Sequence, residues 1–184
     1  IHRLARDHRD RFAGLRVAVT SPQGRFTAAG RLDGLELADV EAFGKHLFYR
    51  FPGPLWVHVH LGLFGTVGTQ PTPLTDPGPT VRMRLANHSW FADLVGPTRC
   101  SLIDVESRER VLTRLGPDPL RADARAREAF AAISRSRQPI AALLMNQRVL
   151  AGVGNVYRAE VLFRAGLDPY RPGREVVGDR WGRL

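Results

Sequence analysis

The first thirteen residues carry apolar and ring side chains at a helical spacing. These side chains recur at intervals of three and four, with Arg and Asp between them, at Ile1, Leu4, Ala5, His8 and Phe12. Gly14 follows, and glycine is typical of the position just after a helix. The pattern therefore predicts a helix over residues 1–13.

Between residues 15 and about 104 the pattern changes to short apolar or alternating runs separated by turn signals. Such runs predict β-strands, here in LRVAVT, FYRF, LWVHVHL, VRMRLA, HSWFADL and TRCSLID. Residues 68–80, GTQPTPLTDPGPT, contain four prolines and two glycines and predict a loop. We therefore expect a β-rich layer with short connections.

Beyond residue 104 the helical spacing returns. It predicts helices in SRERVLTRL, ARAREAFAAISR, PIAALLMNQ and NVYRAEVLFRAG, and the tail PGREVVGDRWGRL predicts the start of another. The sequence thus predicts an α+β fold with two domains. Residues 1–104 form a β-sandwich-like domain with one leading helix, and residues 105–184 form an all-helical domain.

Charge then suggests the kind of partner. The chain has 27 Lys and Arg against 18 Asp and Glu, a formal net charge of +9 and a sequence pI of about 11.2. Such basicity favours a polyanionic partner, most often nucleic acid. A chain that uses Arg throughout for solubility is the alternative.

Cysteine content and hydropathy bear on cross-linking, metal binding and cellular location. Cys100 is the single cysteine, which excludes an internal disulfide and a four-thiolate zinc site within this chain. We expect it to be a small buried residue. No apolar run approaches the roughly 20 residues of a membrane span, and the N-terminal segment lacks the apolar core of a signal peptide. We therefore expect a cytoplasmic protein. We also expect it to be a monomer and, if its polyanionic partner is DNA, to be nucleoid-associated.

One predicted helix–turn–helix has the chemistry of an anion site. Gly152 and Gly154 lie in the turn, Asn155 starts the second helix, and Arg148 and Arg158 flank it. Asn is a good N-cap, and the free N–H groups of a helix start attract anions such as DNA phosphate. An ordinary helical corner, with its glycines used for packing, explains the same residues equally well.

This stretch, LLMNQRVLAGVGNVYRAEVLFRAGLDP, also resembles the helix–two-turn–helix motif of the formamidopyrimidine-DNA glycosylase and endonuclease VIII family. GPDPL, GKHLF at 44–48 and HLGLFG at 60–65 appear in the family's order, and the resemblance runs from Ile1 to about Pro172, nearest to an actinobacterial endonuclease VIII. It implies a helix–two-turn–helix at 138–167. It also implies that the protein acts in base-excision repair of damaged double-stranded DNA. Members of this family flip an oxidised base out of the duplex and remove it, and they cut the backbone at the abasic site through a Schiff-base intermediate.

The resemblance assigns roles to particular residues. It implies that Asn155 contacts DNA phosphate, together with Gly154, Arg148 and Arg158 around it. Lys45, the one lysine among 27 cations, matches a DNA-contacting lysine beside the active site. Leu63 and Phe64 match the loop that fills the stack after a base is flipped. The alternatives for Lys45 are an accident of codon usage in an Arg-rich chain and a solvated turn residue. The alternative for Leu63 and Phe64 is that they are core-facing strand residues.

The sequence departs from the family pattern in three places. The family's catalytic groups are an N-terminal proline amine and the following glutamate, so we expect Pro-Glu-Gly-His-type residues before Ile1. A polypeptide starting at Ile1 is not expected to remove bases in the family's manner. A full-length member is expected to carry one zinc in a C-terminal finger, and no metal ligands are predicted within this chain. The segment LVGPTRCS stands where the family has an Arg-Arg-Phe loop, so the role of Arg99 is open. The roles of Arg135 and Arg137 are open as well.

Two further alternatives bear on function. His58 and His60 share one face of a strand, but no nearby third ligand supports a metal site, so we expect structural hydrogen bonds. A non-catalytic DNA- or RNA-binding module is the alternative to a glycosylase, because helix–two-turn–helix elements also occur in proteins that only bind nucleic acid.

Overall fold

The computed structural model describes residues 1–176, and its helices and strands confirm the α+β fold. The helices are α1 His2–Phe12, α2 Val105–Leu112, α3 Ala126–Ser134, α4 Ile140–Met145, α5 Asn155–Ala165 and α6 Gly173–Val176. The strands are β1 Leu15–Arg16, β2 Ala18–Thr20, β3 Glu36–Leu37, β4 Asp39–Phe43, β5 His46–Arg50, β6 Trp56–His60, β7 Thr66–Pro71, β8 Val81–Ala86, β9 Trp90–Val95 and β10 Arg99–Ile103.

Contacts within the chain cluster into two units. The first is Ile1–Arg110 and the second begins at Val111. The boundary predicted from the sequence, between residues 104 and 105, coincides with the start of α2. The division between the two units instead falls inside that helix.

Two antiparallel sheets and α1 build the first unit. One sheet has the order β10-β6-β5-β4, the other has the order β2-β8-β9-β7, and β1 pairs separately with β3. Alternate residues of β5 and β6 face the core, where Leu47, Tyr49, Val57 and Val59 are buried. The opposite face of these strands carries the histidines described below.

Helix α1 packs on β4 and β5 through the face that its spacing predicts. Ala5, His8 and Phe12 are buried there. His8 is hydrogen bonded through Nδ1 to the Tyr49 hydroxyl at 2.8 Å and through Nε2 to Thr69 Oγ1 at 2.9 Å. Burial lowers the pKa of His8 to about 4, so the ring is neutral at neutral pH.

The segment predicted as a loop at 68–80 is only partly a loop. Its first residues belong to β7, which pairs with β9 from Thr66 to Pro71. β7 is the edge strand of its sheet, and no strand pairs with its outer side. Pro71 lacks a backbone N–H, but an edge strand needs no donor on its outer side, so the proline is compatible with a strand. Strands β3 and β4 were not predicted, because Asp39 and Glu41 interrupt the apolar pattern.

The second unit is helical, as predicted, and has its own core. Its buried apolar side chains are Ile133, Ile140, Leu143, Leu144, Leu162, Ala165, Leu167 and Val176. Within residues 1–176, no helix is both long enough and apolar enough to span a bilayer. The further helix predicted in the tail begins as α6, and the rest of that segment lies outside the described residues.

Candidate nucleic-acid interface

Lys45 lies in a two-residue turn between β4 and β5. Phe43 pairs with His46, which leaves only Gly44 and Lys45 to connect the strands. The φ of Gly44 is +57° and that of Lys45 is not positive, which is the sign pattern of a type II′ turn. The Lys45 side chain is half-buried rather than fully outward, and this burial lowers the pKa of its amine.

Leu63 and Phe64 project from a tight turn between β6 and β7, residues 61–65, which we call the wedge turn. The Gly65 N–H donates to the Leu61 carbonyl at 3.1 Å and closes the turn. The side chain of Leu63 is 93% exposed and that of Phe64 is 87% exposed. The core-facing alternative for these two residues is therefore wrong.

A row of nitrogen-bearing side chains crosses the sheet beside the wedge turn. In the strand pairing, His60 lies opposite His46 on one side and opposite Arg99 on the other. His58 lies on the same face two residues before His60. We call this surface of β5, β6 and β10 the histidine face. Lys45 immediately precedes it in the chain, so four nitrogen-bearing side chains, those of Lys45, His46, His60 and Arg99, lie at one end of the sheet.

Two of the rings are hydrogen bonded to each other. His46 Nδ1 lies 2.8 Å from His58 Nε2, and the His58 ring stacks on Phe48 with centroids 4.8 Å apart. Burial, together with the neighbouring histidines and Arg99, lowers the pKa of His46 to about 4 and that of His58 to about 3. The pKa of His60 is lowered as well, first by burial and then by Lys45.

Arg108, from α2, covers the other end of the histidine face. Its guanidinium lies 4.5 Å from the centroid of the Trp56 ring and 5.5 Å from that of Phe48. The same group donates to the Glu41 carboxylate, with Nε to Oε1 at 2.9 Å. Arg108 and Glu41 are therefore engaged with each other, while Lys45 and Arg99 are the cations at the open end.

In the second unit, Gln147 holds the connection between α4 and α5, residues 146–154, which we call the glycine turn. Its side-chain Nε2 donates to the carbonyls of Met145 and Val153 at 3.0 Å each. Its Oε1 accepts from the Gly152 N–H at 2.9 Å. One side chain thus satisfies three backbone groups and fixes the shape of the turn before α5.

Asn155 is the first residue of α5 and not its cap. Gly154 occupies the cap position in an extended conformation, with φ −113° and ψ 179°. The expectation that Asn155 caps the helix is therefore wrong, and its exposed side chain is available to a ligand beside the first-turn N–H groups. Arg148 is exposed and Arg158 is half-buried on either side.

The described residues do not fit a metal site. Within residues 1–176, no group of three or more His, Cys, Asp or Glu side chains is arranged to hold a metal ion. His58 uses one ring nitrogen for His46, as the structural interpretation expects. Cys100 is half-buried, and burial raises the pKa of its thiol to about 12. These residues therefore do not fit the zinc expected of a full-length member.

Sequence reasoning missed His46 and Gln147. His46 follows Lys45 directly, and recognising a two-residue hairpin would have placed it opposite His60. No spacing rule identifies Gln147, because its three partners come from both sides of the turn and meet only when the chain folds.

Comparison with known families and proteins gives concordant matches. The family model described as "Formamidopyrimidine-DNA glycosylase H2TH domain" matches residues 115–184. "Endonuclease 8 1" of Mycobacterium tuberculosis is 52% identical over 181 residues, covering 96% of this chain and 68% of that protein. "Formamidopyrimidine-DNA glycosylase" of Thermus thermophilus is 34% identical over 173 residues, covering 92% of this chain and 63% of that protein.

Solved structures share the fold. The Lactococcus lactis Fpg in complex with DNA that contains an abasic site has a TM-score of 0.79 at 18% identity, covering 98% of this chain and 70% of that one. MutM in complex with DNA that contains carbocyclic 8-oxo-G has a TM-score of 0.78 at 17% identity. The chain therefore spans about two thirds to three quarters of the proteins it resembles.

Proposed function

This chain belongs to the formamidopyrimidine-DNA glycosylase and endonuclease VIII family, and we propose that it holds damaged double-stranded DNA for base excision through two separate surfaces. One relative is an endonuclease 8 by name and another is a formamidopyrimidine-DNA glycosylase, and a structural neighbour is a complex with DNA that contains an abasic site. Base-excision repair is accordingly the function of the family to which the chain belongs. The assignment of surfaces and residues that follows is our proposal.

The first surface is the wedge turn beside the open end of the histidine face. The observation that carries the proposal is the exposure of Leu63 and Phe64, which the chain keeps in water at the tip of a closed turn. Large apolar side chains held out this way suit insertion between base pairs after a base is flipped. Lys45 and Arg99 place positive charge for the flanking phosphates.

The second surface is the start of α5. The N–H groups of the first turn have no acceptor inside the helix, and the helix dipole favours an anion there. The Asn155 side chain and Arg148 are exposed at this position, and Gly154 leaves the backbone accessible. This arrangement suits a phosphate oxygen and reads no base, so it holds the duplex without selecting sequence.

The proposals for base-removal chemistry and for cellular location rest on family membership and not on the side chains of residues 1–176. The proline amine and glutamate that the resemblance implies are not among residues 1–184. We therefore assign this chain's residues to binding, flipping and positioning, with Lys45 supporting the reaction beside the sugar. Because the proposed substrate is DNA, we propose that the protein is associated with the nucleoid.

The test is binding to DNA that contains a stable abasic-site analogue, measured against an undamaged duplex over a range of salt concentrations. Asn155→Ala is expected to weaken both complexes and to make the salt dependence shallower, because a phosphate contact is lost regardless of sequence. Gln138→Ala is the matched control, since Gln138 is an exposed polar residue of the same unit. Unchanged affinity for Asn155→Ala would remove α5 from the interface.

A polypeptide that carries the family's N-terminal proline ahead of this sequence should form a covalent adduct with abasic-site DNA under borohydride. Failure of that adduct to form, with DNA binding intact, would favour the alternative of a module that only binds nucleic acid. The two measurements therefore distinguish the binding assignment from the catalytic one.

A further inference from the structure

Two buried polar atoms on the histidine face have no hydrogen-bond partner within residues 1–176. They are Nδ1 of His58 and Oγ of Ser101. Ser101 on β10 lies directly opposite His58 on β6, so the two side chains share one face of the sheet with their Cβ atoms about 5 Å apart. A buried polar group that remains unpaired has lost its bonds to water without a replacement, which makes a bond between these two atoms favourable.

Counting donors decides the direction of such a bond. If the Ser101 hydroxyl donates to His58 Nδ1, then Nδ1 is the bare nitrogen and His58 carries its proton on Nε2. His58 Nε2–H must then donate across the 2.8 Å contact to His46 Nδ1. In the opposite direction, His58 Nδ1–H would donate to Ser101 Oγ and leave the buried hydroxyl proton without an acceptor. The first arrangement leaves no donor unpaired.

We propose that Ser101, after rotation about its Cα–Cβ bond, and His58 are positioning residues that hold His46 in one tautomer, with its Nε2–H presented as a neutral donor to a DNA phosphate oxygen. The inference rests on the proposed function, since it deepens the first DNA-binding surface. Nε2 of His46 is the outer nitrogen: it is not among the buried unpartnered atoms, and its ring is half-buried at the open end of the sheet.

The charges around His46 suit this role. On the open side, Lys45 precedes it, and His60 with Arg99 lies across the strands, so the neighbours that can be charged are cations. On the closed side, Glu41 of β4 is bound to Arg108 of α2 and its charge is already compensated. Burial and the nearby cations keep His46 neutral at pH 7, because its pKa is lowered to about 4. A neutral ring binds an anion only through an N–H, which is why the tautomer matters.

The first arm of the experiment uses the free protein and is independent of DNA. Long-range ¹H–¹⁵N correlation spectra of ¹⁵N-histidine-labelled protein distinguish protonated from bare ring nitrogens. We expect protonated Nε2 and bare Nδ1 at both His46 and His58. Ser101→Ala removes the donor and is expected to produce a mixture of tautomers, while Ser101→Thr, which keeps a hydroxyl, restores the single form. A bare Nε2 at His46 in the native protein would overturn the proposal.

The second arm measures affinity for the abasic-site duplex. Ser101→Ala should bind about three- to tenfold more weakly, the value of one neutral hydrogen bond, and Ser101→Thr should recover most of the loss. Equal binding by Ser101→Ala and the native protein, while Asn155→Ala still weakens the complex, would refute the phosphate-donor role and leave the proposed function intact. Absence of DNA binding by the native protein would instead refute the proposed function itself.

Discussion

The α-carbon of Gly62 faces the side chain of Thr98 so closely that a methyl group on Gly62 would overlap the Thr98 hydroxyl. Gly62 also has a φ of +71°, a conformation that other L-residues rarely adopt. The Thr98 N–H contacts the Leu61 carbonyl at 3.4 Å, and that carbonyl also accepts from Gly65. The segment before β10 therefore contacts the wedge turn directly. Gly62 is required by its conformation and by Thr98, and Gly65 is required because a Cβ there would overlap the Leu61 carbonyl.

Replacing Gly62 by alanine should destabilise the first unit by about 1–3 kcal/mol, from the left-handed backbone together with the overlap at Thr98. The free energy of unfolding by urea measures the loss. Gly68→Ala is the matched control, because a Cβ there meets nothing within 4 Å and its φ is not positive. Adding Thr98→Ala to Gly62→Ala should recover only the part due to overlap. Full recovery would contradict the role assigned to the backbone.

Replacing Leu63 or Phe64 by alanine should leave stability nearly unchanged, because both side chains are already in water. Affinity for abasic-site DNA should fall, by about 1–3 kcal/mol if stacking against a base is lost. Affinity for undamaged duplex should change less, since a closed stack offers no gap. Leu74→Ala is the control, as Leu74 is 56% exposed in the same unit. Equal losses for both duplexes would argue against a wedge.

Replacing Lys45 by arginine tests whether its lower pKa and compact amine matter. The charge is kept, but arginine is not deprotonated in proteins and carries a planar guanidinium in place of the compact, half-buried amine of Lys45. We expect Lys45→Arg to retain much of the DNA affinity and Lys45→Ala to lose it with a shallower salt dependence. Base-removal activity, measured in a polypeptide with the N-terminal proline, should fall in both. Full activity in Lys45→Arg would make Lys45 a replaceable cation.

Replacing Gln147 by alanine removes three hydrogen bonds from the glycine turn, and we expect a loss of about 1–3 kcal/mol in the second unit. Gln147→Glu keeps an acceptor for the Gly152 N–H but loses both donations. The Gly152 amide should therefore exchange with solvent much faster in Gln147→Ala than in Gln147→Glu. Similar exchange in the two variants would show that the acceptor does not hold the turn.

Acid should destabilise the first unit through its buried histidines. The folded pKa of His8 is about 4, below its ordinary value of 6.5, so the unfolded chain binds the proton first as pH falls. Stability from His8 is complete above pH 6.5 and is lost between pH 6.5 and 4, by about 3 kcal/mol in total. His46 and His58 act in the same direction. His8→Gln should flatten the stability profile over this range, whereas the exposed-residue control His88→Gln should not.

The sequence by itself determined the elements with local signals. The spacing of Ala5, His8 and Phe12 predicts α1 because one face of a helix collects every third or fourth residue. The helices of the second unit were predicted for the same reason, with ends that differ from the structure by a few residues. Family resemblance added Lys45, Leu63, Phe64 and Asn155, and their roles remain predictions.

Tertiary structure decided what depends on partners distant in sequence. β7 forms at the edge of the sheet although its sequence contains glycine and proline, because the inner strand β9 pairs with it. His46 became part of the surface only when the register set it opposite His60, and Ser101 only when β10 joined β6. A strand pattern tells which residues share a face but not which strands are neighbours. The long-range hydrogen bonds of the sheet carry that information, and they assemble the interface.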